Sequence, residues 1–203
     1  MPKSCLQIIA PYLETMIELL RRSVRERREW SLQVICKKDG QCRVLIRSGE
    51  AAKVEKVAPE PDEYVLLDYH THPFKHATKL SDTDLQTVAL ILRPKVVCTG
   101  NAKEGKIVCW WLKDLVNEAF LEVMDKSDYL KVLATTAVRK LCELLTKEEK
   151  EDLRKALQEN DLDKLFEYME KYLPKEYRKI VEVADELDSL LDSIACAEVG
   201  VRL

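Results

Sequence analysis

All three histidines of this chain fall in one stretch of seven residues, His70-Thr71-His72-Pro73-Phe74-Lys75-His76. In an extended segment alternate side chains share a face. His70 and His72 can therefore turn both imidazoles toward one ion, at the ~2.0–2.1 Å that zinc–nitrogen bonds require. A third ligand must come from elsewhere, and Asp84 is placed to supply it from the first turn of a helix opened by Ser81. Two imidazoles and one carboxylate leave a fourth position open, which is what separates a catalytic zinc from a structural one. Ser81 and Asp84 also have a plainer reading, as a helix N-cap and its acidic partner three residues on. His76 reads as a solvent-facing loop residue.

The surrounding pattern supplies elements to hold these groups. Leu13, Met16, Ile17, Leu20 and Val24 recur at three and four, with Pro11 suited to a first turn, which predicts an amphipathic helix ending in the charged run RRSVRERRE. Trp30–Cys36 and Cys42–Ile46 read as strands around KKDGQ, whose Asp-Gly centre suits a hairpin. YVLLDYH reads as a strand covered on both faces. Leu66, Asp68, His70 and His72 would lie on one side of it, with Val65, Leu67 and Tyr69 on the other. From Ser81 to Pro94 the spacing of Leu85, Val88, Ala89 and Leu92 predicts a helix of about three turns. KVVCT and KIVCWWL are two further strands; of the adjacent Trp110 and Trp111, one should enter the core and the other face outward or under the helical region.

This order describes an α/β (α+β) domain over residues 1–113, a sheet flanked by helices. Beyond Lys113 only helical patterns remain, so residues 114–203 are expected to form an all-helical C-terminal domain. Thr146 and Glu149 make a capping box there, and Asn160 and Pro174 punctuate it.

With 33 basic against 36 acidic side chains, the net charge of −3 gives no overall reason to expect nucleic acid or an anionic membrane as partner. No apolar run approaches the ~18 residues of a membrane span, and the first residues lack a secretory layout, so a cytoplasmic location is expected. Charged residues reach 34% while Asn and Gln are few, a balance that suits a thermophile. Most of the seven cysteines read as buried small apolar residues. Cys36/Cys42 and Cys98/Cys109 flank turns, however, and could close cross-strand disulfides.

HTHP followed by SDTD resembles the motif of the JAMM (MPN-plus) zinc metalloproteases, and the order of elements through residue 113 is similar to that fold as well. The resemblance implies Zn2+ held by His70, His72 and Asp84. It implies an upstream glutamate as general acid and base, for which Glu29 is the best match and Glu26 the competitor, and Ser81 as oxyanion stabiliser. The implied activity is that of a deubiquitinase-like isopeptidase, cutting between a target lysine and a ubiquitin-like modifier.

One departure is the eleven residues between His72 and Asp84, where the usual pattern has ten. Either the loop FKHATKL absorbs the extra residue or Asp82 is the ligand. Lys75 and His76 also stand where glycines are often found. Two other readings share the pattern. One is a non-catalytic MPN-type scaffold whose helical region docks a partner or a second copy; the other is a zinc hydrolase of a small amide or sulfur-carrier adduct.

Overall fold

The computed structural model describes residues 4–50, 54–74, 77–159 and 161–203, so the readings of Lys75, His76 and Asn160 lie outside the described residues. Ser4 caps the short α1 (Cys5–Ile9), and a tight turn at Ala10–Tyr12, where Pro11 needs no amide donor, leads into α2 (Leu13–Glu26). Arg27, with φ 51°, stops α2 in a left-handed residue and turns the chain into β1 (Trp30–Lys37). β2 (Cys42–Ser48) folds back antiparallel on β1 across Gly40, whose φ of 93° suits a residue without Cβ.

β3 (Glu63–His72) lies antiparallel on the other side of β1. α3 (Asp82–Gln86) runs on into a wider helical turn (Thr87–Leu92) and carries the chain over to β4 (Val96–Asn101), which is parallel to β3. β5 (Lys106–Trp111) returns antiparallel to β4. The helical stretch follows as α4 (Leu112–Asp114), a wider turn (Leu115–Ala119), α5 (Phe120–Leu144), α6 (Lys147–Gln158), α7 (Asp163–Tyr172) and α8 (Pro174–Ser193). Thr146 and Glu149 cap α6 reciprocally, and Pro174 opens α8, as their positions in the sequence predict.

Residues 114–203 are not helical throughout. β6 (Ala197–Gly200) pairs antiparallel with β5, giving a six-stranded mixed sheet in the order β2-β1-β3-β4-β5-β6. Four residues are too few for an alternation to register in sequence. Their pairing satisfies backbone groups of β5 that an open edge would leave without strand partners.

Apolar layers form on both faces of the sheet. α1 and α2 pack Ile9, Met16 and Leu20 against Leu32, Leu67 and Tyr69. On the opposite face Val97, Val108 and Trp110 meet Leu85 and Val88, and Leu187 and Leu191 from α8. Trp110 is buried and donates its indole N–H to the Leu191 carbonyl at 2.7 Å, while the half-buried Trp111 packs on the α1/α2 side. A third cluster, including Leu141, Leu153, Met169 and Ile180, binds α5 to α8 together.

The predicted alternation of β3 fails at one point. Register shifts between Val34 and Ile35, which pair with Leu67 and Val65 and leave Leu66 as the bulged residue. Val65 therefore joins the layer under α3 and α8, and Leu66 packs with Leu67 on the α1/α2 side. Beyond the bulge, Asp68, His70 and His72 keep to one face.

Six of the seven cysteines are paired, and Cys5, Cys36, Cys98 and Cys109 are buried, as expected of most of them. Cys36–Cys42 and Cys98–Cys109 join directly facing strand positions, and Cys5–Cys196 ties α1 to the segment before β6. Cys142 is free. No described helix is long and apolar enough to cross a membrane.

Candidate metal centre

His70 and His72 close β3, both buried, with ring centroids 4.8 Å apart. Asp84 reaches them from α3 because of how that helix begins. Ser81 Oγ accepts the Asp84 N–H at 3.1 Å, while Asp84 Oδ2 accepts the Ser81 N–H at 2.9 Å and the Ser81 hydroxyl at 2.7 Å. The capping reading and the ligand reading hold together: with Oδ2 engaged in the cap, Oδ1 stands 3.2 Å from His70 Nε2. Ligand atoms of His70, His72 and Asp84 lie within 4.8 Å of one another and could hold a metal ion. Asp82 is turned away into an ion pair with Lys131 of α5.

No protein-family model, curated protein or solved structure matches the chain.

The donor set can be tested on its own chemistry. His72 Nδ1 is 2.6 Å from the Thr78 carbonyl oxygen. A carbonyl only accepts, so Nδ1 carries the hydrogen, and whenever the ring is neutral it is Nε2 that presents a lone pair, the form a metal ligand needs. His70 Nε2 is buried, 3.2 Å from Asp84 Oδ1, and has no aligned hydrogen-bond partner among the described residues. These residues fit a divalent cation.

The charges around the group are arranged with it. Burial, assisted by the nearby Lys56 ammonium, pushes His70 below its ordinary pKa and keeps it neutral. Burial opposes ionisation of Asp84, but the two imidazoles outweigh it and hold the carboxyl well below the usual range. Burial likewise opposes a charge on His72, and Asp84 and Glu29 overcome it. Lys56, from the segment before β3, donates to Asp68 and lies 3.2 Å from His70 Nδ1.

Glu29 lines the same cleft as His70, His72, Ser81 and Asp84. Its backbone is held on both sides, its N–H on the Glu50 carbonyl at 2.8 Å and its own carbonyl on the Gly49 N–H at 2.9 Å. Burial raises its carboxyl from 4.5 to about 7, with His72 and Lys56 pulling it down and Asp84 adding to the rise. Glu26 is outside the cleft lining and bound to Arg22 at 2.6 Å, which lowers its pKa. Of the two glutamates, only Glu29 faces the group.

The cleft measures about 900 Å³, and its far wall is built from the helical region, with Leu130 of α5, Phe166 of α7 and Ile180 of α8. Lys56, Thr78 and that apolar wall are parts the sequence reading missed, and Asp68 was placed on the His70 face without a role there. Asp68 alone had a signal, sitting two residues before His70 on the same strand face.

Proposed function

We propose that this chain is a metal-dependent amide hydrolase of the JAMM type, acting on an isopeptide bond to a ubiquitin-like modifier. The observation that carries the reading is the shared cleft of His70, His72 and Asp84 with Glu29, whose burial pushes its carboxyl up to about 7. Zinc, held by His70, His72 and Asp84, would supply a Lewis acid for the scissile carbonyl and lower the pKa of an attacking water.

The chain's own residues do the rest. A carboxyl balanced near neutrality can take a proton from water and hand it to the leaving amine, so Glu29 serves as base and then acid. Thr78 fixes the tautomer of His72, and Ser81 holds Asp84 through both its amide and its hydroxyl. To stabilise an oxyanion, Ser81 would have to swing its hydroxyl hydrogen from Asp84 toward the substrate oxygen.

A second reading has its own support. A cleft of about 900 Å³ with an apolar wall falls within the range of sites for small molecules, which favours a small amide over an extended tail. One experiment separates them: metal content of purified protein, with cleavage of ubiquitin-like conjugates and of small acyl amides, each with and without a strong chelator. Chelator-sensitive cleavage of conjugates supports the first reading, cleavage of small amides alone the second. Absence of bound metal would leave the scaffold.

A further inference from the structure

The Thr78 carbonyl that receives the His72 Nδ1–H and the Lys79 N–H belong to one peptide group, and both ends of that group are held. Its carbonyl lies 2.6 Å from His72, and its N–H donates to Asp188 Oδ1 of α8 at 2.8 Å. A peptide is planar, so fixing its N–H fixes the direction of its carbonyl.

The Lys79 side chain locks the same point. It is fully buried, with Nζ 2.5 Å from each Asp192 oxygen and 2.9 Å from Glu104 Oε1. Asn101 holds the Ala77 carbonyl one residue earlier, at 3.1 Å. Asp188 itself is only 4% exposed, and its Oδ2 has no hydrogen-bond partner among the described residues, with Lys103 Nζ 3.6 Å away. An apolar residue there would avoid the cost of burying a carboxylate. What the carboxylate gains is a charged acceptor for this one N–H.

We infer that Asp188 is a positioning residue for the metal centre, acting through the Thr78–Lys79 peptide to fix the ring orientation and tautomer of His72. The helical region is thereby part of the framework of the site and not an appendage to it. The inference rests on the proposed metal role of His72, and its test is chosen so that the two can fail separately.

The test uses the full chain in four forms: wild type, Asp188→Ala, Asp188→Asn and Leu187→Ala. Asn keeps an acceptor for the Lys79 N–H, whereas Leu187→Ala damages the same helix without touching the peptide. Asp188→Leu replaces the Ala variant if that does not fold. Nitrogen-15 NMR of the imidazoles in metal-free protein, at a pH high enough for His72 to be neutral, reads the tautomer, and competition with a chromophoric chelator reads the zinc Kd.

The expected result is loss of the single Nδ1–H tautomer of His72 in Asp188→Ala, with zinc affinity down by about 10–100-fold. Asp188→Asn and Leu187→Ala keep both near wild type. An unchanged tautomer in Asp188→Ala overturns the inference, and so does an equal loss of affinity in Leu187→Ala. A wild type that binds no zinc overturns the proposed function, while the tautomer measurement still decides the role of Asp188.

Discussion

The amide of Trp30 donates to Thr71 Oγ1 at 2.9 Å, joining the residue after Glu29 to the residue between His70 and His72. The candidate base and two candidate ligands thus flank one cross-strand bond at the ends of β1 and β3. A variant at either can be read as a change of chemistry rather than of placement.

Glu29→Gln should bind zinc as wild type does and lose turnover by about 10²–10⁴-fold, the range expected for removing a positioned acid and base. His72→Ala should lose both zinc and turnover. Metal content and cleavage rate measured side by side check the pair, and a fully active Glu29→Gln protein would refute the choice of base.

Glu29 also makes a prediction about metal-free protein. Its carboxyl stands at about 7 when folded, against 4.5 as the ordinary value. Between these values the folded state binds more protons than the unfolded chain, so this group's contribution falls as pH rises and is fully unfavourable above about 7. Replacing it by Gln should stabilise chelator-treated protein by up to about 3 kcal/mol near pH 8 and by almost nothing near pH 4. Urea midpoints of both proteins at the two pH values check this; a gain of equal size at both would count against a buried, titrating Glu29.

Thiol counting tests the covalent framework. With Cys142 the one free cysteine, the denatured chain should show one reactive thiol before reduction and seven after it. Cys5→Ser should cost about 2–5 kcal/mol, since Cys5–Cys196 closes a loop of 191 residues. Seven thiols in unreduced protein from an oxidising preparation would sink the assignment.

Gly100 on β4 faces Tyr69, the residue before His70. A Cβ there would collide with the Tyr69 hydroxyl, which donates to the Met16 carbonyl at 2.8 Å, and would press on Leu20 at 3.2 Å. Gly100→Ala should destabilise the fold by about 1–3 kcal/mol. Thermal unfolding reads the effect, and a neutral result would mean that α2 yields easily against the sheet.

Short-range signals were the legible ones. The alternation that puts His70 and His72 on one face, the cap at Ser81 and the Asp-Gly turn each need only a few neighbouring residues, and the structure contains all three. The bulge at Leu66 left no mark, because LL in a covered strand reads the same in either phase. Cys5–Cys196, β6 and the contact of Asp188 with Lys79 each join residues about 90 or more apart along the chain. No local pattern encodes such partners. Lys56 was passed over because a lysine in a Pro-rich connection has nothing to distinguish it until the strand beside it is in place.

β6 changes how the helical stretch can move. Residues 112–196 leave the sheet at the end of β5 and re-enter it beside β5, where Cys196 is also fastened to Cys5 and Arg21 holds the Arg202 carbonyl at 3.0 Å. Besides the packing of α8 on the sheet, the stretch is joined to it at two adjacent ends, like the handle of a cup. A door on a single hinge could swing clear of the cleft; a handle can only flex. The wall that Leu130, Phe166 and Ile180 give the cleft of His70 and His72 is therefore tied to the sheet at both ends of the stretch that carries it.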